Sequence, residues 1–172
     1  MKWVVRGAFG LAMIGLVVIG GLWLFQAQIG ERIFQRMAGE LVGVDQSASL
    51  EDGLHVYLCG TGSPLPDAER AGPCVGVLAG QTAFVFDAGS GSIRKLVRMG
   101  FPVGEAEHVY LTHLHSDHID GLGEMMLQAW VGGSRSSPVG ISGPEGTAAV
   151  VEGVMQAYRT DAGYRVAHHG EE

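Results

Sequence analysis

Three histidines and an aspartate, His113, His115, Asp117 and His118, fall within six residues of one another. Imidazole nitrogen and carboxylate oxygen are the donors that a borderline cation such as Zn²⁺ takes. The spacing carries a geometric meaning. In an extended segment residues i and i+2 project to the same side, so His113 and His115 are expected to grip one ion. Once the chain turns, Asp117 and His118 are expected to face a second. A solvated polar loop is the alternative, and four donor-type residues packed this densely speak against it.

The elements that position this cluster follow from periodicity and punctuation. Leu54–Cys59 reads as a strand ended by the turn-rich run 60–64. Val75–Ala79 and Ala83–Asp87 read as two strands of a hairpin across Gly80-Gln81-Thr82. Ser90–Met99 places Ile93, Leu96 and Val97 on one helical face and stops at Gly100. His108–Leu111 is a further strand, and it runs directly into the histidine cluster. Gly121–Val131 and Thr147–Arg159 read as helices, with Val139–Ser142 a strand between them. Paired strands followed by strands alternating with helices imply an α/β (α+β) domain built on a mixed sheet.

The amino terminus has a different character. From Gly7 to Gly30 no residue is charged, and Leu11 to Phe25 is almost wholly apolar. About 20 such residues at 1.5 Å each cross the ~30 Å hydrocarbon layer. Residues 1–30 are therefore expected to form one transmembrane helix, an uncleaved signal anchor in contact with the membrane through residues 7–30. A cleaved signal peptide competes with this reading, but the apolar run is long and Phe25-Gln26-Ala27 is a poor cleavage site. Lys2 and Arg6 before the span suggest a single-pass protein with its carboxyl domain exported. Residues 31–53 read as a juxtamembrane linker in which Ile33, Phe34, Met37, Leu41 and Val44 form a short amphipathic helix.

The string Thr112-His113-Leu114-His115-Ser116-Asp117-His118 resembles the H-x-H-x-D-H signature of the metallo-β-lactamase-fold superfamily. Gly60-Thr61-Gly62-Ser63-Pro64, Phe86-Asp87-Ala88-Gly89-Ser90-Gly91 and Ser142-Gly143-Pro144-Glu145-Gly146-Thr147 are similar to the branch containing ribonuclease Z and the zinc arylsulfatases and phosphodiesterases. The resemblance covers residues 54–172. It implies an αββα sandwich holding two zinc ions (Mn or Fe being the alternatives), with His113 and His115 on the first and Asp117 and His118 on the second. Asp117 and His118 are also the residues it implies for catalysis, and Asp87 for orienting a ligand histidine, with a helix cap as the other reading of Asp87. The pattern normally adds further ligands downstream, so the chain is expected to be the incomplete first half of the sandwich. His168 and His169 remain open as additional ligands.

The resemblance implies a metal-dependent hydrolase that uses zinc-activated water on a phosphodiester, sulfate ester or related small ester. Two alternatives stand beside it: a tRNA 3′-processing enzyme, and a non-catalytic anchored binding module. Net charge bears on the choice. The chain has 11 Lys and Arg against 18 Asp and Glu. Lys2 and Arg6 lie in the first 30 residues with no acid, so residues 31–172 carry 9 basic and 18 acidic groups, a balance of −9. That balance, with the anchor, disfavours a nucleic-acid partner and leaves a small ester as the expected substrate. Cys59 and Cys74, in apolar surroundings, read as two buried free thiols, with a disulfide as the alternative in an oxidising compartment.

Overall fold

The computed structural model describes residues 2–42, 45–65, 67–133, 135 and 137–169. The chain divides into two compact units, Met1–Val42 and Gly43–Glu172. The first is one helix, α1 (Lys2–Val42). It does not stop at Gly30; the segment after it continues the same helix, and Gln35 Nε2 donates to Glu31 Oε1 one turn back at 2.6 Å. Ile33, Phe34 and Met37 are exposed on it. Val44, the last apolar position of the expected amphipathic helix, lies outside the described residues.

Among the described residues no helix is long and apolar enough to cross a membrane. This overturns the expected signal anchor over residues 7–30, and with it the single-pass topology and the exported carboxyl domain. The physical reason is visible in the later turns of α1. Gln26, Gln28, Glu31 and Arg32 interrupt the apolar residues there, and the helix runs on through them to Val42.

The second unit is built on a five-stranded sheet in the order β1-β2-β3-β4-β5. The strands are β1 (Leu54–Gly60), β2 (Cys74–Ala79), β3 (Thr82–Phe86), β4 (Ala106–Tyr110) and β5 (Gly140–Ser142). The first three are antiparallel neighbours, whereas β3, β4 and β5 run parallel. Parallel neighbours need crossovers, and helices supply them: α2 (Ser92–Arg98) between β3 and β4, and α3 (Ser116–Ile119) with α4 (Leu122–Gly132) between β4 and β5. A last helix, α5 (Thr147–His169), follows β5.

Strand alternation decides where the core sits. Leu78, Ala83, Val85, Ala106 and Val109 are buried together with Ile93 and Leu96 of α2 and Leu122, Met125 and Ala129 of α4. The spacing of the α4 residues, i, i+3 and i+7, is one helical face. On the opposite side of the sheet Leu54, Val56, Leu58, Phe86 and Tyr110 are exposed. The described residues therefore form a mixed sheet with α2 and α4 packed on one face.

Two details differ from expectation. Cys59 and Cys74 are joined as a disulfide, with Cα atoms 5.1 Å apart, and are not free thiols. The antiparallel register explains it: the pairing shifts between Leu58 and Gly60, so Cys59 sits in a bulge beside Cys74, which pairs with Gly60. Helix α5 also runs ten residues past Arg159, where no proline or glycine cap stops it, and Arg165 bonds Asp161 one turn back at 2.8 Å.

Candidate metal centre

The parallel pairing of β3 with β4 creates the site. Phe86 and Tyr110 are in register, so both strands deliver their next residues to the same edge of the sheet. Asp87 leaves β3 there with a φ of 58°, the one non-glycine residue with positive φ among those described. Such a backbone costs about 1 kcal/mol or more and persists where surrounding contacts hold it. The contacts are present: Asp87 N donates to the Tyr110 carbonyl at 2.8 Å.

Its carboxylate, 6% exposed as a residue, is fully engaged. Oδ1 accepts the Thr112 backbone N–H at 2.8 Å. Oδ2 accepts the Thr112 hydroxyl at 2.8 Å and, at the same distance, Nδ1 of His118. With Nδ1 protonated toward Asp87, the Nε2 lone pair of His118 is left free to bind a cation.

The loop after β4 folds back on this anchor. His115 is extended, with φ −66° and ψ 147°, and α3 turns immediately after it. Ala88 N donates to the His118 carbonyl at 2.8 Å, and Gly121 N donates to the Ala88 carbonyl at 2.7 Å. Gly89 makes the approach possible: a Cβ there would stand 2.4 Å from the Asp117 carbonyl oxygen, a distance no side-chain-bearing residue tolerates.

The three rings are consequently in contact. His113 lies 3.9 Å from His118 and 4.7 Å from His115 between ring centroids. The donor atoms stand as two pairs. His113 Nε2 faces His115 Nδ1 at 3.0 Å, and Asp117 Oδ2 faces His118 Nε2 at 3.7 Å. Among the described residues no three His, Cys, Asp or Glu groups form a ready metal cluster. As chemistry, the donor set fits a divalent cation. Two nitrogens on one tetrahedral Zn²⁺ stand roughly 3.4 Å apart, given Zn–N bonds of about 2.1 Å, so the first pair needs only a few tenths of an ångström of adjustment.

Other histidines have separate places. His55 Nε2 bonds the Glu51 carbonyl at 2.8 Å, and His108 Nε2 bonds Ser142 Oγ at 2.8 Å. His168 is exposed near the end of α5 and His169 is that helix's last residue. The Gly60–Gly62 turn packs on neighbouring chain, with Gly62 N donating to the Ala71 carbonyl at 2.8 Å. A groove of about 1120 Å³ between α4 and α5, lined by Met126, Trp130, Val151, Met155 and Tyr158 among others, includes none of the cluster residues. Thr112 was the contact missed in the sequence; its place directly before the first histidine was the available signal.

Residues 54–139 match the model of a protein family described as Anti-Pycsar protein Apyc1. Among curated relatives, the ribonuclease Z of Mycobacterium bovis (strain BCG / Pasteur 1173P2) is 45% identical over 120 residues, 69% of this chain and 43% of that protein. The ribonuclease Z of Mycolicibacterium gilvum (strain PYR-GCK) is 44% identical over 120 residues, 69% of this chain and 42% of the relative. The chain thus spans about two fifths of the length of these relatives. Among solved structures, the short form of human tRNase Z superposes with a TM-score of 0.55 at 26% identity, over 60% of this chain and 40% of that one. These relatives overturn the expectation that nucleic acid is an unlikely partner and a small ester the substrate. Net charge sums over the whole surface, whereas contact with a phosphate backbone depends on where charge is placed.

Proposed function

The chain belongs to the family of the Anti-Pycsar protein Apyc1, is a homologue of ribonuclease Z, and has the metallo-β-lactamase fold; from that premise we propose that it contributes the metal-binding half of a metal-dependent hydrolase that cleaves phosphodiester bonds in RNA. His113 and His115 would hold one ion, Asp117 and His118 a second, and zinc is the metal that suits this donor set. When bound, such a metal supplies Lewis acidity and ionises water near neutral pH.

This chain's own residues contribute orientation. Asp87 accepts a hydrogen bond from the Nδ1–H of His118 and so presents its Nε2. The Ala88 to His118 backbone bond keeps α3 against the end of β3. Asp117, with a side chain 13% exposed, offers carboxylate oxygens beside His118 Nε2. Four protein donors do not saturate two four-coordinate ions, so the remaining positions fall to water or to further side chains.

The observation that carries this reading is the grouping of two donor pairs around one buried carboxylate. The test is metal analysis of the purified chain beside a His115→Ala variant, followed by cleavage assays on a tRNA precursor with a 3′ extension, an aryl phosphodiester and an aryl sulfate. Metal in the parent, less in the variant, and cleavage of the RNA are the expected results. A chain that takes up no zinc, or a variant that loses metal and keeps full activity, sinks it.

A further inference from the structure

Thr112 offers neither imidazole nor carboxylate, yet its hydroxyl lies within hydrogen-bond reach of Asp87, His113 and His118. Oγ1 lies 2.8 Å from Asp87 Oδ2 and 3.1 Å from Asp87 Oδ1. It also lies 3.1 Å from His113 Nδ1 and 3.4 Å from His118 Nδ1.

Proton counting assigns direction to these contacts. A hydroxyl has one proton to give and two lone pairs to receive. An ionised carboxylate only accepts, so the Thr112 proton goes to Asp87 along the shortest contact. The hydroxyl can then only accept from His113, which puts the His113 proton on Nδ1. Its Nε2 is left as a lone pair, the atom that faces His115 Nδ1 at 3.0 Å. Across the site, His118 gives its Nδ1 proton to Asp87 directly at 2.8 Å. One histidine from each donor pair is therefore held in the same tautomer, and both holds end on a single carboxylate.

We propose that Thr112 is a positioning residue: it relays the hold of Asp87 to His113, so that one carboxylate sets the tautomer of a donor histidine in both metal subsites. The idea rests on the metal-centre reading above for its purpose, but not for its geometry. Backbone helps to fix the relay, since Thr112 N also donates to Asp87 Oδ1 at 2.8 Å. That bond uses the backbone and not the side chain at 112, so the hydroxyl can be removed with the N–H donor kept.

The experiment compares the full chain with Thr112→Val, which keeps the shape and loses the hydroxyl, and Thr112→Ser, which keeps the hydroxyl. Long-range ¹H–¹⁵N correlation spectra, which report the tautomer of each ring directly, are recorded without added metal. His113 and His118 are expected as Nδ1–H tautomers in the parent. In Thr112→Val, His113 shifts toward Nε2–H while His118 keeps its form, and Thr112→Ser restores the parent pattern. Zinc titration against a chromophoric chelator is the second readout, with a loss on the order of 10- to 100-fold in Thr112→Val and parent-like binding in Thr112→Ser. An unchanged His113 tautomer in Thr112→Val overturns the proposal. If the parent chain takes up no zinc, the metal-centre reading fails, while the tautomer comparison still decides the role of Thr112.

Discussion

Asp87 Oδ2 accepts the Nδ1 proton of His118 at 2.8 Å across 31 residues of chain. The carboxylate reaches that position through a backbone turn with φ 58°. Asparagine tolerates this left-handed conformation at least as well as aspartate. Asp87→Asn is therefore expected to fold and to lose charge at the point where two histidines are oriented. Zinc affinity should drop by roughly 10- to 100-fold, read by chelator competition, with a far-ultraviolet circular dichroism spectrum like that of the parent.

Removing the Cys59–Cys74 bridge tests a different link, from cross-link to stability. The bond closes 15 residues of chain between adjacent strands. A loop of this length is worth about 3 kcal/mol by restricting the unfolded chain. The Cys59→Ser, Cys74→Ser double variant is expected to unfold at lower urea concentration than the oxidised parent. Equal midpoints would show that the bridge contributes nothing.

Gly89 tests how closely the cluster loop must approach the sheet. An alanine there puts a methyl group 2.4 Å from the Asp117 carbonyl oxygen, against backbone that cannot swing aside. Gly89→Ala is expected to cost about 1–3 kcal/mol and to displace the Asp117 segment. Thermal unfolding measures the first effect, and weaker zinc binding the second. As a control, Gly163→Ala, inside α5 where a Cβ meets nothing within 4 Å, should leave zinc binding unchanged and raise stability by roughly 0.5–1 kcal/mol.

One acid titration is set by local hydrogen bonding. Asp67 has its carboxyl lowered from 3.8 to about 2, first by the Glu69 backbone N–H and then by the Arg70 side chain and backbone. A depressed carboxylate stabilises the fold above its unfolded value and loses that contribution as pH falls through the folded one. The effect should therefore be present above pH 3.8 and fade toward pH 2. A carbon-detected titration of Asp67 should show its midpoint near the lower figure, and Arg70→Ala should move it upward.

Much of the sheet was legible because strand alternation and turn residues are local signals. Leu54–Cys59 and Val75–Ala79 appear within a residue of β1 and β2, and Gly100 ends the α2 region with a φ of 78°. The errors share a cause. Residues 7–30 form an apolar run in sequence, but α1 continues through Glu31, Arg32 and Arg36 to Val42, and helix continuation leaves no mark in hydropathy. Cys59 and Cys74 carry no pairing information along the chain; the bulge between Leu58 and Gly60 brings them together.

The histidine cluster divides along the same line. His113, His115, Asp117 and His118 could be picked out along the chain, because alternation at a strand end is a property of neighbouring residues. That Asp87 would anchor them, with Thr112 as the go-between, depended on β3 lying parallel to β4 with Phe86 opposite Tyr110. Hydrogen bonds spanning 25 to 31 residues come into being only when strand register is set, and register is a cooperative outcome of the whole sheet packing on α2 and α4.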